Sequence, residues 1–187
     1  MNNEIFSNYM QKINQQEEFM SILLHIDDDI LTILKIHLLC EHLIEAWICS
    51  KTNQEKLFTE PIKINMNFST KLKLARNMSL QKEIYELISK INSIRNKFAH
   101  NLSETIISNK DIQDMINVIS NDKLFINALS MNFKRDDKEE EYKIQDEITP
   151  NRVKLCIIYF AIVLSIGEEK TTNQNTKKVN VSMELTS

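Results

Sequence analysis

Residues 95–100 read Arg-Asn-Lys-Phe-Ala-His and set a guanidinium and an imidazole about one and a half helical turns apart. Arginine keeps its proton and offers a planar fork to phosphate oxygens. Histidine, with an ordinary pKa of about 6.5, gives or takes a proton at neutral pH. With a ribose 2′-hydroxyl as the internal nucleophile, these groups suffice for metal-free RNA cleavage: the imidazole moves the proton and the guanidinium stabilises charge at the scissile phosphate. DNA lacks that hydroxyl, so the same groups leave it uncut. At about 100° per residue, Tyr85, Ser89, Asn92, Asn96 and His100 fall within about 80° of one another. They form a polar strip, a possible cleft wall, with Asn92, Lys97 and Tyr85 as substrate-binding candidates. Arg95 lies about 140° round from His100, so the two straddle Asn96 and meet more easily on one substrate than with each other.

A second group lies earlier in the chain. His37 and Glu41, four residues apart, share a helical line with Ile30, Leu34, Ile44 and Ile48. A carboxylate buried in such a stripe needs a partner. His42 and Glu45 occupy adjacent lines and read as the polar rim of a bundle helix. The i, i+4 spacing of His37 and Glu41 permits a shared metal, but the pattern is not H-E-x-x-H and offers no third ligand. No cofactor is implied.

The elements that must position these groups are helices. The chain has 187 residues, 42% hydrophobic and 26% charged, enough for one domain with a core, taken as residues 1–169. Its single glycine, Gly167, and two prolines, Pro61 and Pro150, leave little means of building positive-φ backbone. That excludes phosphate-cradling glycine loops, the nucleophile elbow and glycine-turned hairpins. An all-α, up-and-down bundle of about five to seven helices remains.

Apolar periodicity predicts helices over residues 3–23 and 27–50, the latter apolar almost all round and therefore central. Short helices follow near Phe68, Leu72 and Ala75, at Ile112-Met115-Ile116-Ile119 and at Leu124-Phe125-Ala128-Leu129, with a longer one over residues 80–100. The mixed-charge run over residues 133–146 reads as a solvated loop or exposed helix extension. A last core helix takes Thr149 as N-cap, Pro150 as its first residue and Gly167 as C-cap. The polar tail, residues 170–187, reads as disordered.

A net charge of −3 and a pI of about 5.9 make the whole chain no polyelectrolyte partner for duplex DNA, so any nucleic-acid contact is local. Cys40, Cys49 and Cys156 show no paired spacing and read as buried free thiols of a reducing cytosol. The N-terminus has no signal-peptide pattern, and the longest apolar run, residues 155–166, falls short of the about 20 residues a membrane span needs. Together these predict a cytoplasmic protein with no membrane partner.

The R-N-K-F-A-H segment resembles the signature of the HEPN superfamily, an arginine and a histidine four to six residues apart with a polar residue after the arginine. It closes a predicted helix after Ile91-Asn92-Ser93-Ile94. The upstream Phe68-Ser69-Thr70-Lys71-Leu72-Lys73-Leu74-Ala75 is similar to the corresponding segment of the mannitol operon repressor-like branch. Glu41 stands where many members carry a polar residue facing the motif. The resemblance spans about residues 27–120. It implies a helical homodimer whose two motifs meet in one composite site, cutting RNA without metal and leaving a 2′,3′-cyclic phosphate, in a toxin–antitoxin or antiviral defence setting. His100 is then the general acid or base, Arg95 the transition-state stabiliser, and Asn96 and Glu41 orient them. The implied partners are RNA, a second copy, and an antitoxin or defence protein. Leu102 stands where toxins paired with nucleotidyltransferase antitoxins carry tyrosine, which argues against control by adenylylation. The alternative is a catalytically silent regulatory or interaction protein like the mannitol operon repressor.

Overall fold

A computed structural model describes residues 1–14, 27–59, 63–101, 103, 105–120, 130–135, 138–168 and 182–183. Among these the helices are α1 (Asn3–Asn14), α2 (Asp29–Thr52), α3 (Phe68–Asn77), α4 (Lys82–His100), α5 (Asn109–Ser120) and α6 (Asn151–Glu168). They make an all-α bundle around one hydrophobic core. The expected extension of the first helix to residue 23 and the expected helix at Leu124–Leu129 fall on residues outside the described set.

α2 starts where Asp28, in extended backbone, accepts a hydrogen bond from Leu31 N–H at 3.0 Å, with Asp29 adding first-turn negative charge. It packs against α1, α3, α4 and α6. Its C-terminal half is buried, with Leu43, Ile44, Trp47 and Ile48 almost wholly inside. α1 covers that half: Asn2 N–H bonds Ser50 C=O at 2.8 Å, and the Tyr9 hydroxyl accepts from the Cys49 thiol at 3.4 Å. The N-terminal half is not enclosed all round, as the sequence implies it should be. Leu31, Leu34 and Leu38 are 39%, 43% and 48% exposed, because the helices packed on α2 leave that face uncovered.

α2 and α4 run antiparallel. His37 meets Asn92, and Asp29 at the start of α2 accepts from Ile107 N–H at 2.7 Å, beyond the end of α4. The apolar stripe of α4, with Ile84, Leu87, Ile88, Ile91, Ile94 and Phe98, faces the core as its 3.6-residue period requires. α4 and α5 are joined by Lys97 Nζ to Asp111 Oδ1 at 2.6 Å.

Positive-φ backbone is built without glycine. Asn53 (φ 56°) closes α2 and Ser79 (φ 69°) follows α3, while Gly167 lies inside α6 and is no C-cap. Asparagine tolerates this region better than most residues because its short polar side chain bonds locally. At the other end, α6 begins at Asn151, one residue later than expected. The Pro150 carbonyl accepts from both Val153 and Lys154 N–H at 3.0 Å. Asn151 Nδ2 reaches back to Ile107 C=O at 2.8 Å.

In the charged run over residues 133–146, residues 133–135 and 138–143 lie in strands rather than in a loop or helix extension. β1 (Ser130–Arg135) and β2 (Lys138–Lys143) pair antiparallel, in a register that runs from Ser130 opposite Lys143 to Arg135 opposite Lys138. The register sets Lys134 opposite Glu139. Of the tail, Ser182–Met183 (β3) runs parallel to β1 and completes the sheet order β2-β1-β3. All three cysteines are buried free thiols, and burial pushes the Cys156 thiol up to about 12. No helix among the described residues is long and apolar enough to cross a membrane.

Candidate functional site

The polar strip of α4 meets α2 at one point. His37 Nε2 and Asn92 Oδ1 are 3.0 Å apart, and the imidazole stacks on Phe68 of α3 with ring centroids 4.1 Å apart and planes 27° from parallel. An amide oxygen only accepts, so His37 donates through Nε2 and keeps its lone pair on Nδ1. Burial, followed by the positive charge of Arg95, holds the His37 ring below the ordinary histidine value. The hydrogen bond to Asn92 and the charge of Glu41 pull the other way without prevailing. His37 is thus a neutral imidazole at pH 7, held between α3 and α4.

Arg95 is half-buried one turn beyond Asn92, and its Nη1 donates to Asn96 Oδ1 at 3.3 Å. His100 is exposed in the last turn of α4, past Asn96 on the same strip. Arg95 therefore bonds its neighbour Asn96, while Asn92 is engaged by His37 one turn earlier and His100 lies at the exposed end of the helix. Two substrate-binding candidates are otherwise engaged. Tyr85 packs partly buried against the core, and Lys97 spends its charge on Asp111. That bond, with one from Ser108, outweighs burial and holds the Asp111 carboxyl below its usual range.

Glu41 is held from α3. It accepts from Lys71 Nζ of α3 at 2.7 Å, and the same ammonium bonds Glu45 at 2.5 Å. Among the described residues Lys71 is the one charged residue that is buried, and its ammonium lies 5.2 Å from the Phe58 ring centroid. Burial disfavours both charges of the Lys71–Glu45 pair. The hydrogen bonds more than offset it, leaving Glu45, also bonded by His42, lowered and Lys71 raised. The partner a buried carboxylate demands is thus a lysine 30 residues on. A 1,4-related pair on α2 carries no hint of it. Glu41 and His37 point to different neighbours, and among the described residues no group of three or more His, Cys, Asp or Glu stands together to hold a metal.

A cavity of about 540 Å³ opens on the Glu41–Glu45 side of α2, bounded by Tyr9, Phe58 and Lys71 among others. Arg95, Asn96 and His100 do not line it. The site residue missed by the sequence reading of the RNA-cleaving group is His37, singled out only as half of a metal pair. Its signal is positional: it stands seven residues before Ile44 on the face that antiparallel packing turns toward Asn92.

The chain matches no protein-family model, no curated protein and no solved structure, so the case for this cluster rests on its own residues and distances.

Proposed function

We propose that the protein is a metal-independent endoribonuclease of the HEPN type, acting in the cytoplasm as a toxin or in antiviral defence, with a composite site across a homodimer. The observation that carries this reading is the α4 cluster: the Arg95 guanidinium beside Asn96 and next to the His37–Asn92 pair, with His100 exposed further along the same strip. It offers a fixed positive charge for a phosphate and imidazoles for proton transfer, the minimum that attack by a 2′-hydroxyl requires. An antitoxin or defence-system protein is the partner expected to restrain it.

The dimer has its own support. Because α2 and α4 are antiparallel, exposed Leu31, Leu34 and Leu38 run level with the last turns of α4. Three leucines in one stripe at helical spacing are what a second copy would cover. Leu38→Asp is expected to turn a dimer into a monomer on size-exclusion chromatography and to lower cleavage about tenfold or more at equal chain concentration. A monomeric wild type would overturn the composite site.

The direct test incubates the purified protein with single-stranded and loop-containing RNA, with and without EDTA. Cleavage to 2′,3′-cyclic phosphate ends, unchanged by EDTA, is the expected result. RNA left intact at micromolar protein, together with recovery of a stable partner complex, would replace this reading with the silent regulatory one.

A further inference from the structure

We infer that His37 is the general base of this site, taking the 2′-hydroxyl proton on Nδ1 opposite His100 of the partner subunit. The inference rests on the nuclease and dimer reading above and adds to it a residue and an arrangement. Three observations carry it. The Nε2 bond to Asn92 fixes the tautomer with its lone pair on Nδ1. The stack on Phe68 holds the ring in place. Arg95, one turn from Asn92, brings fixed positive charge to the same spot.

The partner subunit enters through distance. His100 lies eight residues beyond Asn92, about 12 Å along the helix axis. One phosphorus with an imidazole bonded on each side, at about 3 Å per hydrogen bond, does not span that length. Two copies of α4 packed antiparallel about a two-fold axis near Asn96 bring His100 of the partner subunit level with Asn92, and so beside His37.

The step then balances. The 2′-hydroxyl proton passes to His37 Nδ1 as the O2′–P bond forms. The P–O5′ bond breaks with its electron pair on O5′, which takes a proton from the imidazolium of the partner's His100. Arg95 faces the non-bridging oxygens. The products are a 2′,3′-cyclic phosphate and a 5′-hydroxyl end, and exchange with water resets both rings.

The groups that act on His37 are Asn92, bonded to it, Phe68, stacked on it, and the charges of Arg95 on α4 and Glu41 on its own helix. A base held below the ordinary histidine value loses its proton as pH rises through a region under about 6.5, so wild-type cleavage should climb there. His37→Phe keeps an aromatic ring on Phe68 but carries no proton. It is expected to lose at least about 100-fold in rate, and its residual rate should lack the climb.

Mixing decides the arrangement. His37→Phe and His100→Ala chains, each inactive alone, are exchanged at equal concentration. A heterodimer then holds one site with both histidines intact, and the mixture should recover about a quarter of wild-type activity. Two inactive variants whose mixture stays inactive would overturn the cross-subunit pairing, provided both remain dimeric by chromatography. Wild-type rate in His37→Phe would overturn the base assignment while leaving the nuclease standing. RNA uncut by the wild type would remove the nuclease reading itself.

Discussion

His100→Ala and Arg95→Ala are each expected to lower RNA cleavage by about 10²–10⁴-fold, with helix content and melting temperature close to wild type. His100 is exposed at the end of α4, and Arg95 is half-buried with a side-chain bond to the neighbouring Asn96, so removing either disturbs little packing. Substitutions at such surface positions usually cost within about 0.5 kcal/mol. The two losses differ in kind. Without His100 a proton has no donor. Without Arg95 the developing phosphorane-like charge faces no fixed cation, and Arg95→Lys should restore only part of the rate, because an ammonium lacks the planar fork. In growing cells the same variants should relieve any growth arrest the wild type causes. Equal cleavage by wild type and His100→Ala would remove the chemistry proposed for this strip.

Lys71→Met is expected to be the most damaging polar substitution to stability. Its ammonium sits in the interior, 9% exposed, and holds two carboxylates, of which Glu45 is 15% exposed. Without it Glu41 and Glu45 face each other as uncompensated like charges. Breaking one side of such a pair costs about 3 kcal/mol, or a fall in melting temperature of about 6–12 °C for a chain of this size. The triple variant Lys71→Met, Glu41→Gln, Glu45→Gln should regain much of the loss, because apolar or neutral replacements of a buried ion pair are tolerated. A melting temperature unchanged in Lys71→Met would show the cluster to be solvated.

The pH dependence has a defined sign. Glu45 is lowered, so its contribution is present above the ordinary glutamate value of about 4.5 and is lost as pH falls through its lower folded value. Lys71 is raised, so its contribution is present below about 10.5 and is lost as pH rises through its higher one. Thermal melts of the wild type should show this contribution flat between those limits, and the Lys71→Met difference should shrink on the acid side.

Legibility followed periodicity. α4 and the buried half of α2 were readable because their apolar residues recur every three to four positions, and the polar strip falls out of the same angles. The face of Leu31, Leu34 and Leu38 was not, since an apolar residue on a helix says nothing of whether another element arrives to cover it. The hairpin at Ser130–Lys143 was hidden by its composition: lysines and glutamates look like a solvated run, and pairing depends on a partner strand that local pattern does not name. The site was legible where it lay on one helix and failed where it crossed between helices. Arg95 bonds Asn96, its neighbour on α4. Glu41 was assigned to the arginine, yet Lys71, 30 residues away, captures it, and His37 takes the place beside Asn92.

The route of the chain after His100 is pinned at both ends by side chains. Lys97 ties the last turn of α4 to Asp111, and Ile107, fully buried, has its N–H held by Asp29 and its C=O by Asn151. Between these anchors the connection also has a bond of its own, the Ser103 hydroxyl donating to Asn101 Oδ1 at 2.7 Å. Its length is nearly free to change, since doubling a loop costs only about 0.6 kcal/mol. A residue or two inserted there should leave the Arg95 strip where it is, because the bonds of Lys97 to Asp111 and of Ile107 to Asp29 hold the two ends in place.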